Sequence, residues 1–267
     1  MNNLYGLMGG KLIHSYSPEI HKKIFEIMNM QGSYELFELQ ENELEDMVKK
    51  LKSLNYKGCN VTIPHKISIM DFLDEISHEA KKIGAVNVIA FNNGKACGYN
   101  TDYYGFGMAL QKNHIRCNNE KAVVLGTGGA SRAIVQYLVD NGAKDITLVS
   151  TDKAVAKEKY PDLQVVTYKE LEEISDSSLI INCTPVGMYP KIGNSPVEKC
   201  VLKNFGSAVD IIYNPRETVF LKDAKELGLN VADGMYMLVA QAVKSQEIWN
   251  NISIPQNVTE KITDSLR

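Results

Sequence analysis

The chain has 267 residues, of which 44% are hydrophobic and 23% charged, so it is long enough to bury one large core or two modest ones. Its formal net charge of −3 leaves no broad basic field for a nucleic-acid backbone or an anionic membrane surface, and we expect neither as a partner. No stretch of the sequence approaches the roughly 18 apolar residues that a membrane-spanning helix needs.

Residues 1–100 alternate between segments typical of strands and segments typical of helices. Predicted strands cover residues 5–8, 58–63, 85–91 and 95–99; one predicted helix has Ser17 as its N-cap and a second covers residues 41–54. The Asn93-Gly94 pair between the last two strands is typical of a hairpin turn. This half of the chain is therefore predicted to be a mixed α/β region.

The second half has a more regular pattern, which follows a predicted helix at residues 103–113 and a loop at residues 118–120. Predicted strands cover residues 121–125, 145–149, 179–181 and 207–212, and predicted helices cover residues 132–139 and 235–249. Gly142 is placed to close the first of these helices in the left-handed conformation. Strand, helix and strand repeating at this pitch predict a parallel sheet with helices on both faces.

A glycine-rich turn follows the first strand of the second half. Gly126-x-Gly128-x-x-Ser131 is a variant of the dinucleotide fingerprint, with serine at the third position. Gly126 allows the sharp turn, and Gly128 lets a diphosphate approach the N–H groups at the positive end of the next helix. Because the motif follows a strand and opens a helix, it predicts a nucleotide site.

The end of the next strand normally selects the cofactor, because an acidic residue there binds the ribose hydroxyls of NAD and an arginine binds the 2′-phosphate of NADP. This chain has Ser150-Thr151-Asp152-Lys153 at that place. The two hydroxyls and Lys153 suit a phosphate, whereas Asp152 suits NAD. The turn alone leaves both cofactors open.

Cysteines and histidines indicate neither a disulfide framework nor a metal site. The five cysteines are widely spaced and include no C-x-x-C pair, a pattern that favours free thiols in a reducing compartment. His14, His21 and His65 lack the spacing of a zinc site, so packing and capping are the expected roles. Since the N-terminus also lacks the pattern of a signal peptide, we predict a cytoplasmic protein without a metal.

Eight short motifs occur in one order along the chain. They are Ile13-His-Ser-Tyr-Ser-Pro18 with His21, Asn60-Val-Thr-Ile-Pro-His-Lys66, Gly84-Ala-Val-Asn87, Asn100-Thr-Asp102 with Gly105, Gly126-Thr-Gly-Gly-Ala-Ser131, Asn182-Cys-Thr-Pro-Val-Gly-Met188, Asp210-Ile-Ile-Tyr-Asn-Pro215, and Gly234 with Met237-Leu-Val-Ala-Gln241. In this order and at these spacings the chain resembles the shikimate dehydrogenase family over essentially its whole length.

The resemblance implies an α/β protein with three parts. Residues 1–103 would form a substrate domain of mixed α/β structure, residues 104–234 a Rossmann-like dinucleotide domain with a parallel sheet, and residues 235–267 a helical segment that returns to the first domain. The active site would lie in the cleft between the domains. The implied activity is the NADPH-dependent reduction of 3-dehydroshikimate to shikimate in aromatic amino acid biosynthesis, with NAD possible as the cofactor and with a monomer or a homodimer as the assembly.

The resemblance also assigns the site residues. Lys66 and Asp102 match the catalytic pair. The substrate ring and its carboxylate are assigned, besides that pair, to Ser15, Ser17, Thr62, Asn87, Tyr213 and Gln241. The cofactor is assigned to Gly126, Thr127, Gly128, Gly129, Ala130, Ser131, Ser150, Thr151, Lys153, Thr184, Pro185, Ile211 and Gly234.

The chemistry of these residue types suits that reaction. A ketone that receives a hydride must gain a proton, which Lys66 can donate, and Asp102 can hold the lysine and accept a hydrogen bond from a substrate hydroxyl. Short hydroxyl and amide side chains suit a substrate rich in hydroxyls.

Departures from the family pattern keep alternatives open. Ser150-Thr151-Asp152 stands where the family usually has Asn-Arg-Thr, so an NAD-using quinate/shikimate dehydrogenase is a second hypothesis. Serine at position 17, where that branch tends to have threonine, favours the shikimate-specific branch. Gln246 replaces a more usual aromatic residue, which we interpret as a local packing difference. A non-catalytic dinucleotide sensor is a third hypothesis, which the intact Lys66 and Asp102 disfavour.

Overall fold

A computed structural model describes residues 3–175 and 177–266 of the chain. The chain divides into two compact units, one formed by Met1–Gly105 with Val239–Arg267 and the other by Phe106–Leu238. Strands are β1 Asn3–Gly9, β2 Gly32–Glu38, β3 Gly58–Val61, β4 Glu75–Ile76, β5 Val88–Asn92, β6 Lys95–Tyr99, β7 Lys121–Leu125, β8 Asp145–Val149, β9 Gln164–Val166, β10 Leu179–Asn182, β11 Ser207–Asp210 and β12 Asn230–Ala232.

Eleven α-helices lie in the described residues. They are α1 Ser17–Ile27, α2 Leu44–Ser53, α3 His78–Ile83, α4 Asp102–Lys112, α5 Gly129–Asp140, α6 Lys153–Lys159, α7 Tyr168–Leu171, α8 Lys199–Leu202, α9 Val219–Glu226, α10 Gly234–Asn250 and α11 Gln256–Ser265. Two 3₁₀ helices cover Glu41–Glu43 and Ser68–Phe72.

The first unit contains a mixed six-stranded sheet in the order β2-β1-β3-β5-β6-β4. Strand β1 is parallel to β2 and β3, whereas β3, β5 and β6 are antiparallel to one another in turn. Asn93 and Gly94 have φ angles of 50° and 77°, as a tight hairpin turn requires. The predicted mixed α/β region and its hairpin are confirmed.

The C-terminal helix α10 packs on this first sheet through Trp249. The Trp249 ring of α10 stacks on Tyr5 of β1 with a centroid distance of 5.0 Å, and its Nε1 donates to the Ile89 carbonyl at 2.9 Å. The ring lies so close to Gly58 that a Cβ there would be 1.9 Å from Nε1. Glycine in β3 is therefore required by the contact, and the predicted return of the C-terminal helix to the first region is confirmed.

Several predicted element boundaries need correction. Tyr16, not Ser17, is the N-cap of α1, and Ser17 is the first helical residue. The helix predicted over residues 41–54 begins as a 3₁₀ turn whose capping box joins Gln40 and Glu43. Strand β2, helix α3 and helix α11 have no counterpart in the prediction.

The second unit contains a six-stranded sheet in the order β12-β11-β10-β7-β8-β9. All its pairs are parallel, which confirms the predicted parallel sheet. The chain runs outward from β7 to β9 and then returns to the other side of β7 with β10, so the strand order reverses between β7 and β10. Ligands of such sheets bind at the carboxyl ends of the strands beside this reversal. Gly142, with a φ of 73°, follows α5 as predicted.

The five cysteines are free thiols, and Cys59 and Cys183 are buried as expected. Within residues 3–175 and 177–266, no helix combines the length and the apolar character needed to cross a membrane.

Candidate functional site

Lys66 and Asp102 meet in the first unit although 36 positions separate them in the chain. The Lys66 Nζ atom donates to Asp102 Oδ2 at 2.5 Å, and the two side chains are only 13% and 10% exposed. Lys66 lies in the loop after β3, where its carbonyl accepts from the Val86 backbone N–H at 2.7 Å. The ion pair is therefore anchored at its backbone as well as at its side chains.

Asn87 joins the carboxylate of this pair to the start of helix α4. Its Nδ2 donates to Asp102 Oδ1 at 2.9 Å, and its Oδ1 accepts from the Thr101 backbone N–H at 2.7 Å. Asn87 is 3% exposed, so both bonds lie in the protein interior. Because Lys66 and Asn87 bind different oxygens of Asp102, the carboxylate has a defined orientation.

Asn100 sets the direction in which α4 leaves the sheet. Its Oδ1 accepts from the Asp102 backbone N–H at 3.1 Å, and its Nδ2 donates to the Ala85 carbonyl at 2.9 Å. A side chain that accepts from the first N–H groups of a helix satisfies donors that lack intrahelical partners. The local sequence Asn100-Thr101-Asp102 thus combines a helix start with the placement of the carboxylate.

Helix α10 contributes two polar side chains to the same network. Gln241 Oε1 accepts from the Thr101 hydroxyl at 3.4 Å, and the Ser245 hydroxyl donates to the Gln241 carbonyl one turn earlier at 2.9 Å. Ser245 also accepts from Asn60 Nδ2 at 3.0 Å. The structure therefore brings the predicted site residue Gln241 into contact with the Asn87 and Asp102 environment through Thr101.

A buried hydroxyl extends the network toward the start of α1. The Tyr34 hydroxyl donates to Asn60 Oδ1 at 2.7 Å, and Asn60 Nδ2 also donates to the Asn87 carbonyl at 3.3 Å. Burial raises the pKa of Tyr34 well above its ordinary value, the nearby Cys59 raises it further, and a hydrogen bond from Ser17 opposes the change. Ser17 is thereby linked to the network, and Ser15 Oγ accepts from its backbone N–H at 3.3 Å.

His21 and Gln246 form a buried polar pair behind Tyr34. The His21 ring stacks on Tyr34 at a centroid distance of 4.1 Å, and its Nδ1 lies 2.9 Å from Gln246 Nε2. Since an amide nitrogen only donates, Nδ1 is the acceptor and the ring proton belongs on Nε2. Burial lowers the pKa of His21 to about 3, and Asn60 opposes this shift. Gln246 is therefore the partner of a neutral histidine, which gives the predicted packing difference a physical cause.

The sequence assignment omitted several members of this network. Asn60, Asn100 and Thr101 lie inside the motifs but received no role, and Tyr34 and Ser245 lie outside them. A polar residue within an apolar strand, such as Asn60 in β3, is the feature that marks such positions, because buried amides require partners. Thr62 was assigned, and the structure places its methyl group against Gly9, where a Cβ would lie 2.5 Å from it.

The glycine-rich turn of the second unit is open on the side where a diphosphate would bind. Gly126 has a φ of 92°, and Cβ atoms placed on Gly128 or Gly129 would meet no described atom within 4 Å. Gly128 is the N-cap of α5 and has no side-chain cap, so the first N–H groups of this 12-residue helix are left for a ligand. These residues fit a dinucleotide.

Ser131, in the first turn of α5, and Thr184, which follows β10, both lie beside this turn. The Ser131 hydroxyl donates back to the Gly128 carbonyl at 2.7 Å and lies 3.1 Å from the Tyr160 hydroxyl. Thr184, after β10, would have its Cγ2 2.9 Å from a Cβ on Gly126. Glycine at position 126 is therefore required both by its φ and by this contact. The turn and the end of β10 meet at the reversal of strand order.

A buried carboxylate braces the ends of β10 and β11. Asp210 accepts from the Thr218 hydroxyl at 2.7 Å, from Asn182 Nδ2 at 3.1 Å and from the Ile212 backbone N–H at 3.0 Å. Burial raises the pKa of Asp210 to about 6, and the three donors oppose that shift. Asn182 Oδ1 also accepts from the Thr184 hydroxyl at 2.7 Å, so the brace positions the residue that contacts Gly126.

Side chains at the end of β8 are bonded within the protein. The Ser150 hydroxyl donates to the Asp152 carbonyl at 3.0 Å, and Asp152 Oδ1 accepts from the Val155 backbone N–H at 3.0 Å as the cap of α6. Lys153 Nζ donates to both carboxylate oxygens of Glu170, at 2.9 and 3.0 Å. Thr151 is exposed. This segment therefore presents one lysine that is already paired.

The remaining assigned residues belong to the second unit. Gly234 donates its backbone N–H to the Ile212 carbonyl at 3.0 Å, and a Cβ on it would lie 2.1 Å from the Ile211 carbonyl oxygen. Glycine is thus required at the start of α10. Tyr213 lies three residues after the end of β11, and its assigned contact with the substrate stays a prediction.

Comparisons with known proteins agree with these motifs. A family model described as the shikimate dehydrogenase substrate binding domain matches residues 7–89. A shikimate dehydrogenase (NADP(+)) of Clostridium perfringens is 50% identical over 266 residues, covering 99% of this chain and 98% of that protein.

Solved structures give the same result. A chorismate mutase/shikimate 5-dehydrogenase fusion protein from Clostridium acetobutylicum is 49% identical with a TM-score of 0.97, covering 100% of this chain and 97% of that one. Shikimate 5-dehydrogenase from Listeria monocytogenes, solved with shikimate and NAD, is 28% identical with a TM-score of 0.88, covering 100% and 96% of the two chains. Identity of one residue in two along nearly the whole sequence places the chain in the shikimate dehydrogenase family.

Proposed function

We propose that this chain catalyses the reversible, NADPH-dependent reduction of 3-dehydroshikimate to shikimate, a step of aromatic amino acid biosynthesis. The observation that carries the proposal is the buried ion pair between Lys66 and Asp102, joined at 2.5 Å and oriented by Asn87. The name of the Clostridium perfringens relative, shikimate dehydrogenase (NADP(+)), supports the same reaction and cofactor.

Reduction of the ketone requires a hydride at the carbonyl carbon and a proton at the carbonyl oxygen. The reduced nicotinamide supplies the hydride when it is bound. Lys66 Nζ donates the proton as negative charge develops on the oxygen, and in the reverse direction it accepts the proton from the hydroxyl. Asp102 holds Nζ in position and accepts a hydrogen bond from a neighbouring substrate hydroxyl. General acid–base help of this kind contributes about 10²–10⁴ in rate.

Hydroxyl and amide side chains are proposed to bind the rest of the substrate. The residues given this role are Ser15, Ser17, Thr62, Asn87, Tyr213 and Gln241. Support comes from the network that joins Ser17, through Tyr34 and Asn60, to Asn87. Such a network limits the rotation of each side chain, and a site that pairs every substrate hydroxyl rejects analogues that lack one.

The second unit is proposed to hold the dinucleotide. The residues given this role are Gly126, Thr127, Gly128, Gly129, Ala130, Ser131, Ser150, Thr151, Lys153, Thr184, Pro185, Ile211 and Gly234. The open space beside Gly128 and the uncapped start of α5 support binding of the diphosphate. The segment after β8 would face the adenosine ribose.

A second candidate function is an NAD-using quinate/shikimate dehydrogenase. The observation that favours it is the end of β8, where Lys153 is paired with Glu170 and no arginine occurs between residues 150 and 153. A relative in this family, from Listeria monocytogenes, was solved with shikimate and NAD.

One spectrophotometric experiment tests both candidates. The purified chain is given shikimate or quinate with NADP⁺ or NAD⁺, and formation of the reduced nicotinamide is followed. We expect the highest kcat/KM for shikimate with NADP⁺. Higher values with NAD⁺ and activity on quinate would favour the second candidate, and the absence of turnover in all four combinations would refute both.

The proposed division of labour follows the two compact units. We propose residues 1–103 as the substrate domain, residues 104–234 as the dinucleotide domain and residues 235–267 as a helical segment that packs on the substrate domain. A monomer or a homodimer is proposed as the assembly, to be measured by light scattering after size exclusion. The five free thiols support a location in the reducing cytoplasm.

A further inference from the structure

In the segment after β8, where a dinucleotide fold selects its cofactor, Lys153 is already bound by the carboxylate of Glu170. Lys153 is the first residue of α6, and its Nζ is bound by both oxygens of Glu170. Glu170 lies in α7, which follows β9, and β9 is the immediate neighbour of β8 in the sheet. The carboxylate is therefore placed beside the strand end where a dinucleotide fold receives the adenosine ribose.

Glu170 is fixed in this place by its own backbone contacts. Its Oε2 accepts from the Thr167 backbone N–H at 2.7 Å, and its backbone N–H donates to the Thr167 hydroxyl at 3.3 Å, so the two residues form the capping box of α7. The ammonium of Lys153 and then the Thr167 N–H lower the pKa of Glu170 to about 2. At neutral pH the carboxylate is a permanent, oriented anion.

Other polar groups in the segment are already committed. Asp152 Oδ1 caps α6 through the Val155 N–H, and the Ser150 hydroxyl is bonded to Asp152. Lys157, the next lysine in α6, donates to the Leu163 carbonyl at 2.8 Å. Lys157 is therefore bound to a backbone carbonyl, whereas Lys153 is bound to an anionic side chain that a phosphate could replace.

We propose that Glu170 is a specificity-determining residue, which weakens the binding of NADP by competing with its 2′-phosphate for Lys153. The inference rests on the proposed function, since it requires the dinucleotide to bind to this sheet. A bidentate carboxylate offers Lys153 the same acceptors as a phosphate. Binding of NADP must therefore break the Lys153–Glu170 pair, or place two anions beside one lysine. NAD has no phosphate at this position and leaves the pair intact.

The test is direct binding measured by calorimetry with NADP⁺, NAD⁺ and the pair 2′,5′-ADP and 5′-AMP, which differ only in the phosphate. The variant is Glu170→Gln, because glutamine at this position keeps the capping box while it removes the charge. Because an exposed charge pair is screened by water, we expect a modest effect, with the Kd of NADP⁺ and of 2′,5′-ADP falling about three- to fivefold. The Kd values of NAD⁺ and 5′-AMP should stay within about twofold.

Two further variants isolate the mechanism. Glu226→Gln removes the carboxylate of another exposed lysine–glutamate pair, with Lys199 of α8, and should change no dinucleotide affinity. Lys153→Met should raise the Kd of NADP⁺, and in that background Glu170→Gln should give no gain. A gain that persists without Lys153 would overturn the competition, and so would an unchanged ratio of the two Kd values in Glu170→Gln. A wild-type chain that binds neither dinucleotide would refute the proposed function itself.

Discussion

Two of the lysine–carboxylate pairs of this protein, Lys66 with Asp102 and Lys153 with Glu170, differ in almost every physical respect. Lys66 and Asp102 are 13% and 10% exposed, and their carboxylate has a second partner in Asn87. Lys153 and Glu170 are 48% and 45% exposed. A buried pair whose remaining acceptors are satisfied holds one geometry, whereas an exposed pair is screened by water and salt and exchanges easily with another ion. The first arrangement suits a proton donor, and the second suits a site that distinguishes two cofactors.

Removal of the buried lysine should have the largest effect on activity. In Lys66→Met the proton donor is lost, so we expect kcat for shikimate oxidation to fall about 10²–10⁴-fold. The matched control is Lys52→Met, because Lys52 also pairs with an aspartate of the same unit, Asp74 at 2.8 Å, but its side chain is 34% exposed. Stopped-flow and steady-state assays with NADP⁺ measure both variants. A near-normal kcat in Lys66→Met would remove Lys66 from the reaction.

Acid should destabilise the buried network through His21. The folded-state pKa is about 3 and the ordinary value is 6.5, so the histidine contributes stability above pH 6.5 that is lost as the pH falls toward 3. His21→Asn keeps an acceptor for Gln246 but does not titrate. Urea unfolding at a series of pH values should show a flatter acid dependence in this variant.

The exposed His78 provides the control for that experiment. His78→Asn removes a histidine without disturbing a buried contact, so the acid dependence of the wild type should persist. Equal slopes for the wild type and His21→Asn between pH 6.5 and 3 would show that His21 is not the group responsible.

The substitution Asn87→Ala should weaken the same hydrogen-bond network, with a smaller effect on activity than the loss of Lys66. It leaves the Thr101 N–H and one Asp102 oxygen without their partners, each in a buried place, and we expect a loss of about 2–3 kcal/mol in the free energy of unfolding. Misplacement of Asp102 should also lower kcat/KM by up to about 100-fold. Asn194→Ala, at an exposed loop position, should change stability by less than about 0.5 kcal/mol. Denaturant titration and the shikimate assay separate the two variants.

The smallest effect is expected at the exposed pair. Glu170→Gln and Glu226→Gln should each shift Tm by no more than about 2 °C, because exposed ion pairs contribute little to folding. Differential scanning calorimetry measures this shift. A large loss of Tm in Glu170→Gln alone would show that the charge of Glu170 stabilises α7, and the contrast between the two pairs would then be weaker than the exposures indicate.

Local sequence patterns predicted much of the second unit. Strands β7 and β8 lie at residues 121–125 and 145–149, where strands were predicted from the apolar runs. A short β-branched run between turn residues is typical of a buried strand. The turns at Gly126 and Gly142 were also predicted, because the positive φ angles needed there exclude most other residues. Strand β2 was missed, since it is only half-buried and its residues GSYELFE lack a clear alternation.

The sequence was sufficient to identify candidate site residues, but not to predict the contacts between them. The motifs pointed to Lys66, Asp102 and Asn87 because each stands in a short pattern shared with a known family. Nothing in those patterns indicated that Asn87 binds the second oxygen of Asp102, or that Asn60 and Tyr34 extend the network. These contacts join residues 15 to 185 positions apart, such as Asn60 and Ser245, and local propensity carries no information over that distance.

Local patterns in the sequence were sufficient for the element types of the regular strands, the glycines that positive φ angles require, and the family to which the chain belongs. Which side chains meet depends on the tertiary fold. The pairing of Lys153 with Glu170 shows why, since a lysine in isolation is equally suited to a phosphate and to a carboxylate. Strand order brings β9 beside β8, and that placement, rather than any local pattern, puts the carboxylate within reach of the lysine.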